Sequence, residues 1–429
     1  MYQIKMFLKK IVPRPLLEKL LPIYHLTLAW LGSIYYRNPS RQLVVIGVTG
    51  TKGKSSVTEM LRTILNTAGF KVASVSTIHF TIDEKIERNL YKMTMPGRFF
   101  LQKFMRRAVD AGCTHVIIEM TSEGAKLNRH RFIDMDALIF TNLTPEHIES
   151  HGSFAAYKQA KLSLRTQLER SKKPDRYSIS NIDDEHGVDF LSDTVEHPLP
   201  YCLADLQLHR LHKDSVSLVF PEHTIRAPFV GIFNVYNALA AITYARAVGI
   251  SWTVIESALR EHKPIKGRVE QFKTSPEATK PLTVVVDYAH TPDSLTKLYE
   301  AFPEVPKVCV LGNTGGGRDT WKRPEMAAIA ERYCKNIILT NEDPYDEDPQ
   351  SILDDMYSGI TDKSKVKMIL DRRSAVAYAL EIAPAHSYVL ITGKGTDPYI
   401  MGPNGTKEPW SDALVVEELL SISKATLKY

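Results

Sequence analysis

The stretch VVIGVTGTKGKSS, residues 44–56, constrains the fold of this chain more than any other. Its β-branched start reads as a buried strand, which breaks into a Gly/Thr/Lys/Ser turn. After the turn Val57, Met60, Leu61, Ile64, Leu65 and Ala68 recur at helical spacing, and Gly69 is suited to stop the helix. A strand that feeds a helix through such a turn aims backbone N–H groups and a positive helix end at one point, where an anion binds. Lys54 then reaches terminal phosphates and Ser55 is placed to hold Mg²⁺. Gly50 and Gly53 bracket the turn, with Thr51, Lys52 and Ser56 completing it. The strict GxxxxGK[ST] spacing fails because position 48 is Val, so the loop is a variant. The reading is ATP binding; the plain alternative is a glycine turn with no ligand.

From Leu43 onward, short β-branched runs alternate with helical patterns. The runs are 43–48, 114–120, 137–143, 282–290, 307–313, 336–340 and 387–393. Such alternation predicts an α/β fold with parallel sheets and helices on both faces. A seam is expected near HKPIKGRVEQF, 262–272, where a helical stretch ends and new strands begin. The expected organisation is an N-terminal segment over 1–41, a central ATP-binding domain over 42–266 and a C-terminal α/β domain over 267–429.

Composition narrows the function by exclusion. A net charge of +5 on 429 residues is too mild to argue for nucleic-acid binding. Cys113, Cys202, Cys309 and Cys334 form no CxxC pair, so no zinc or disulfide framework is expected and a reducing cytoplasm suits them. No apolar run reaches the ~18 residues of a membrane span. The first 41 residues stand apart, with Lys5, Lys9, Lys10, Arg14, Lys19, Arg37 and Arg41 against one acid, Glu18, around an apolar and aromatic stretch. They fit helices packed on the body of the protein, or a basic, aromatic-rich helix resting on a membrane surface.

GVTGTKGKSS resembles the ATP loop of the Mur ligases, the amide-forming enzymes of peptidoglycan precursor synthesis. The resemblance runs over roughly residues 43–429 and is strongest to the type that adds the third residue of the stem peptide. It implies a central P-loop-type parallel-sheet ATPase domain, a Rossmann-like C-terminal domain and ATP with two Mg²⁺ ions. In VIIEMTSEGA and FTNLTPEHIESHG it implies that Glu119 and His147 hold metal with Ser55. Thr121, Ser122 and His151 would lie towards the substrate. YKQAKLSL, 157–164, is similar to the element whose lysine is carbamylated, which assigns that role to Lys161. A neutral amine adds carbon dioxide there and presents a carboxylate-like head to a metal.

The same resemblance extends to nucleotide and substrates. Asn237 in GIFNVYNALAA would touch the base and Arg268 in KGRVE the γ-phosphate. Asp287 in VVDYAHTPDSL would touch the ribose, with Tyr288 and His290 shaping the pocket. Arg318 and Lys322 in LGNTGGGRDTWKRPEM supply cations near the nucleotide. MTMPGRFF, 93–100, is similar to the segment that receives the peptide part of the acyl donor, giving Thr94 and Arg98. The amine-selecting region departs from the pattern. Where diaminopimelate-adding enzymes carry Asp-Asn-Pro-Arg, this chain has Glu342-Asp343-Pro344-Tyr345. A tyrosine cannot clamp a carboxylate as an arginine does. The extra negative charge suits an acceptor with a cationic distal end, such as lysine or ornithine, while diaminopimelate needs another cation. GKGTDPY, 393–399, is similar to the family's GKGxE run and adds Gly393 and Asp397.

The implied reaction is ATP-dependent ligation of a muramoyl-peptide-like carboxylate to an amino acid through an acyl-phosphate, in a cytoplasmic monomer. Closure about 262–272 would bring amine and acyl-phosphate together. Three other readings compete. A folylpolyglutamate-synthase-like ligase shares the loop and the lysine, but DYAHTPDSL and KRPEM favour the Mur side. A ligase acting on a lipid-linked precursor carries a four-cysteine zinc ribbon, which is missing here. A non-catalytic nucleotide-binding module has no need of Lys54, Glu119, His147, Lys161 and Arg268 together. Mur ligases place a domain that grips UDP before the loop. About 42 residues precede it here, too few for an independent core. The expectation is a donor held differently or not linked to UDP, with residues 1–41 docked on the body or on a membrane.

Overall fold

A computed structural model of the chain describes residues 14–91, 93–146, 148–275, 279–317 and 319–426. It contains two compact units. The first holds Met1–Thr144, Ser153–Asp205 and Tyr236–Leu259; the second holds Pro145–Gly152, Leu206–Val235 and Arg260–Tyr429. The last crossing lies a few residues before the expected seam. Pro145–Gly152 and Leu206–Val235, expected in the central domain, group with the second unit.

In the first unit, helix α1 (Arg14–Tyr35) precedes β1 (Val44–Thr49), α2 (Lys54–Thr67), β2 (Val72–Val75), β3 (His79–Ile82) and β4 (Lys85–Arg88). Then come α3 (Arg98–Asp110), β5 (His115–Glu119), α4 (Ser122–Lys126), β6 (Ala137–Phe140), α5 (Phe154–Glu169), β7 (Tyr177–Asn181) and β8 (His197–Tyr201). One eight-stranded sheet runs in the order β4-β3-β2-β5-β1-β6-β7-β8. Its strands from β2 to β8 are parallel, while β3 and β4 add an antiparallel edge. β1 sits between β5 and β6, and Val48 pairs with Glu119. The ends of β1 and β5 therefore meet at the carboxyl edge, where open α/β sheets place their ligands.

The core of this unit also buries His130. It is 1% exposed and neither ring nitrogen has a hydrogen-bond partner among the described residues. Burial, with Arg131 adding to it, pushes the ring down to about 3, and burial alone pushes His115 down to about 4. Both rings are held neutral in the fold, whereas the unfolded chain takes up protons below about 6.5. Stability is therefore complete above that pH and is lost as pH falls towards the folded values. At pH 5 each ring costs about 2 kcal/mol. His130→Leu should lose about 2 kcal/mol less than the natural chain between pH 7.5 and pH 5 in urea titrations. Equal losses would rule this origin out.

The second unit holds a three-stranded antiparallel sheet of β9 (Leu208–Leu211), β10 (Val216–Val219) and β11 (Thr224–Ala227). Its larger sheet is built from β12 (Glu270–Lys273), β13 (Leu282–Val286), β14 (Lys307–Leu311), β15 (Asn336–Leu339), β16 (Val366–Met368) and β17 (Ser387–Ile391). The order is β12-β13-β17-β14-β15-β16, with only β12 antiparallel. Side chains alternate across this sheet and both faces are buried. Val285, Cys309, Leu311, Ile337 and Leu390 enter one core, while Val284, Val286, Val308, Val310, Val389 and Ile391 enter the other. Two covered faces explain why the strands read as unbroken apolar runs. A strand pair, β18 (Tyr399–Met401) and β19 (Lys407–Pro409), completes the unit.

One composition-based expectation is corrected here. Cys309 of β14 and Cys334 form a disulfide with their Cα atoms 6.0 Å apart. The sequence offers no hint, because the pairing arises from the packing of a helix end on the sheet.

Candidate functional site

In the first unit the site forms where β1 ends. Gly50 has φ +144° and Gly53 has φ +84°, conformations that favour glycine. Space forbids a side chain at either position. A Cβ on Gly50 would lie 1.9 Å from Thr141 Oγ1, and one on Gly53 2.2 Å from Asn237 Oδ1. Asn237 is buried on α6 (Ile232–Ala247) and closes the turn from the side.

Hydrogen bonds hold the loop in shape. Thr51 N–H donates to the Asn142 carbonyl at 2.8 Å and Lys52 N–H to Asn142 Oδ1 at 2.8 Å. Thr141 Oγ1 donates to the Lys52 carbonyl at 2.6 Å, and Thr51 Oγ1 lies 2.9 Å from Tyr157 Oη. Lys54 folds over the loop, donating to the carbonyls of Gly50 at 3.0 Å and Thr51 at 2.8 Å. Ser55 and Ser56 stand in the first turn of α2, whose leading N–H groups have no partner within the helix.

Two predicted residues converge on this loop from distant sequence. Glu119, 2% exposed at the end of β5, accepts from Ser55 Oγ at 3.0 Å. It also accepts from Thr77 N–H at 2.8 Å and Thr77 Oγ1 at 3.0 Å. Thr77 Oγ1 in turn lies 2.8 Å from Thr94 Oγ1, so Thr94 joins the same chain of contacts. Lys161, 2% exposed on α5, donates to the Gly50 carbonyl at 2.6 Å. Its ammonium lies 5.1 Å from the centre of the Tyr157 ring. Thr121 caps α4 by accepting from Gly124 N–H at 3.1 Å, and Ser122 is buried beside it. Arg129 donates to the Met95 carbonyl, and burial holds its guanidinium below the usual range.

In the second unit the predicted residues gather at the carboxyl ends of β13, β15 and β17. Asp287 follows β13 and accepts from Val269 N–H at 2.8 Å and Ala289 N–H at 2.7 Å, pinning the turn that carries Arg268. Burial pushes its carboxyl up. The Arg268 guanidinium lies 4.5 Å over the Tyr288 ring, and its buried Nε has no hydrogen-bond partner among the described residues. The negative charge of Asp397, then burial, pushes the Tyr288 hydroxyl well up. His290 lies edge-on to Tyr288 at 4.7 Å, and its Nε2 is 3.1 Å from Glu146 Oε1.

The amine-selecting segment has its own charge arrangement. Lys394 is fully buried, 2.8 Å from Asp343 Oδ1 and 3.2 Å from Asp397 Oδ2. Asp343 also accepts from Met401 N–H at 2.7 Å, so its charge is matched inside the protein. Glu342 is different. Its Oε1 accepts from Thr314 Oγ1 at 2.9 Å, while the buried Oε2 has no hydrogen-bond partner among the described residues. Burial pushes this carboxyl up, and the charges of Lys394, Arg372 and Lys322 pull against that. Gly393 leaves room for it, since a Cβ there would stand 2.3 Å from Glu342 Oε2. Pro344 is buried, and Tyr345 takes φ +54° with its N–H donated to the Met401 carbonyl at 3.0 Å.

Behind the segment, Arg372 on α8 (Arg372–Ile382) is 1% exposed and Asp412 0%. Their bidentate pair is 2.8 Å at both contacts. Arg372 also donates to the carbonyls of Asn341 at 3.2 Å and Thr392 at 2.8 Å, tying both loops to one side chain. Lys322 is buried at the start of α7 (Lys322–Tyr333). His151 ends the short helix Ile148–His151. His147 and Arg318 lie outside the described residues, as does the side chain of Arg98.

These two sets of groups occupy stretches that recur in known proteins. Residues 48–245 match the Mur ligase middle domain, and residues 267–395 match the Mur ligase, glutamate ligase domain. The chain belongs to the Mur ligase family. The UDP-N-acetylmuramoyl-L-alanyl-D-glutamate–2,6-diaminopimelate ligase of Syntrophomonas wolfei is 34% identical to this Mur ligase, over 92% of this chain and 81% of the relative. The ligase of that name from Bacillus velezensis is 36% identical, over 87% and 77%. A solved structure of such a ligase superposes with a TM-score of 0.60 at 27% identity, covering 89% of this chain and 79% of that one. The folylpolyglutamate synthase of Mycobacterium tuberculosis has a TM-score of 0.68 at 15% identity, over 86% and 92%, and shares the fold.

Membership of the family implies ATP and Mg²⁺. The Ser55 hydroxyl and the Glu119 carboxylate are the hard oxygen donors that Mg²⁺ takes. Among the described residues no three His, Cys, Asp or Glu side chains gather as a cage. Mg²⁺ usually keeps water and phosphate oxygens beside one or two carboxylates.

Sequence reasoning missed Thr77, Tyr157, Asn142, Arg129, Glu146 and Lys394. Each reaches its place only through tertiary packing. Tyr157 opens YKQAKLSL, and a hydroxyl four residues before the lysine on one helix face is a usable signal.

Proposed function

We infer that this Mur ligase couples ATP cleavage to amide bond formation between a muramoyl-peptide-like carboxylate and an amino acid, in the cytoplasm where ATP is available. The observation that carries the reading is the loop at 50–56, with Glu119 on Ser55 and Lys161 on the Gly50 carbonyl. The leading N–H groups of α2 and the Lys54 ammonium bind and orient the phosphates. Lys54 offsets the charge that grows as the donor carboxylate attacks the γ-phosphate. Thr94, Thr121 and Ser122 line the approach of the donor, with Thr77 fixing Thr94 against Glu119. Arg129 adds a cation beside the Met93–Pro96 segment.

Two Mg²⁺ ions, when bound, neutralise phosphate charge. Ser55, Glu119 and His147 would hold them, together with a carbamate on Lys161. Carbamylation suits this lysine because carbon dioxide replaces a cation buried in the protein with a carboxylate-like ligand. Asn237 is assigned to the base, Asp287 to the ribose and Arg268 to the γ-phosphate, with Tyr288, Arg318 and Lys322 around the nucleotide.

For the acceptor, Glu342 is the decisive group. With Asp343 matched by Lys394, the lone Oε2 of Glu342 favours an amino acid with a cationic distal end, lysine or ornithine. Diaminopimelate is the second reading, favoured by the names of the curated relatives. A phosphate-release screen tests both. It pairs muramoyl-dipeptide donors, UDP-linked and not, with lysine, ornithine and diaminopimelate. Phosphate release that needs donor and acceptor together is expected, with the monocarboxylate amino acids preferred at least about tenfold. Nucleotide binding without donor-dependent turnover would sink the ligase reading, and a preference for diaminopimelate would reverse the acceptor assignment.

A further inference from the structure

The outward face of α1 has no part in the ligase reading. Between residues 23 and 35, His25, Ala29, Gly32 and Ser33 are buried, with Gly32 against Phe99 and Gln102 of α3. Ile23, Tyr24, Leu26, Trp30, Leu31, Ile34 and Tyr35 point the other way, between 37% and 73% exposed. At 3.6 residues per turn they fill one arc of about half the helix circumference. Thr27 is the only other exposed residue in that span, and its hydroxyl donates to the Ile23 carbonyl at 2.9 Å. Phe99 of α3, 39% exposed and 6.4 Å from the Tyr36 ring, continues the surface.

A helix facing water carries polar residues on its outer side, and scattered apolar ones need no explanation. Seven large apolar residues in one arc do need one. Charge selects among the occupants. The first 41 residues carry Lys5, Lys9, Lys10, Arg14, Lys19, Arg37 and Arg41 against Glu18, and of these cations Arg41 is paired with Asp134 at 3.1 Å. A second copy would set this positive charge against itself, whereas an anionic bilayer complements it. Trp30, Tyr24 and Tyr35 pair an apolar ring with a polar tip, the chemistry of the headgroup level. No described helix is long and apolar enough to cross a membrane, so α1 would lie along the surface.

We propose that α1 docks this protein on an anionic membrane surface, with Ile23, Leu26, Trp30, Leu31 and Ile34 set among the headgroups and the basic excess of residues 1–41 drawn to lipid phosphates. The proposal stands on the exposed face of α1 and the charge of residues 1–41, and is independent of which substrates are ligated. The test is co-sedimentation of the full chain with phosphatidylcholine vesicles, with and without phosphatidylglycerol.

The anionic lipid should strengthen partitioning at least about tenfold, and added salt should weaken it. Trp30→Glu and Ile34→Glu should each lower partitioning about tenfold, with thermal midpoint and turnover unchanged. Should either variant misfold, Lys9→Glu with Lys10→Glu leaves the helix face intact and should lower binding to anionic vesicles by a similar factor. Full-length protein remaining in the supernatant with both vesicle types would overturn the proposal. So would sedimentation equal to the natural chain in all variants. A concentration-dependent dimer, abolished by Ile34→Glu in protein that ignores vesicles, would assign the face to a second copy and overturn it too.

Discussion

Lys161→Ala should lower ligation about 10²–10³-fold while leaving the fold intact, and a short carboxylic acid such as acetate should restore part of the rate. The expectation follows from position. Lys161 is buried on α5, and its ammonium meets the carbonyl of Gly50, the residue at which β1 turns into the phosphate loop. If the working form is the carbamate, what the variant loses is a carboxylate-like head, and an added acid can occupy the space left by the side chain. Turnover should be followed by phosphate release with and without the acid, and folding by circular dichroism. Unimpaired turnover would remove Lys161 from the chemistry. A loss that no acid restores would leave it only its hydrogen bond to the loop.

Arg372→Met should destabilise the second unit by about 3–5 kcal/mol, because it leaves Asp412 charged, buried and without its bidentate partner. A domain is commonly stable by only about 5–15 kcal/mol, so much of the unit's margin would go. Arg372 also holds the Asn341 and Thr392 carbonyls, which flank the Glu342 and Lys394 segments. The amino acid's KM should therefore rise more than kcat falls. Urea unfolding measures the first effect. Arg372→Met combined with Asp412→Leu separates pairing from packing, since removing both charges should recover most of the loss. A cost below about 1 kcal/mol in the single variant would show that the pair contributes little.

The strands legible in the sequence were β1, β5, β6, β13, β14, β15 and β17, whose residues are buried almost throughout and so read as β-branched runs. Strands with exposed residues, such as β4 and β9, carry no such run and were not legible. The ends of the legible strands were not marked. The run read over 282–290 leaves the sheet after Val286, that over 307–313 after Leu311 and that over 387–393 after Ile391. The residues beyond those points include ones that build the site: Asp287 to His290 and Gly393. Composition carries on where the ladder stops, so hydrophobic pattern alone overruns into the functional loops. Glu119 and Lys161 were recognisable within motifs, but their partners Thr77 and Tyr157 depend on the register of β5 and the packing of α5. The meaning of Asp343 changed for a similar reason. Its charge counts towards a substrate only until Lys394, 51 residues on, is known to neutralise it.

The division of the chain has a consequence for how it can be taken apart. The polypeptide passes between its two units at residues 144/145, 152/153, 205/206, 235/236 and 259/260. A fragment beginning at Lys266 would carry the whole six-stranded sheet yet lack Glu146, which meets His290, and Val230, which fills one of its cores. No single cut yields a self-sufficient half. The two bodies are interleaved along the chain, and each is completed by segments synthesised among those of the other.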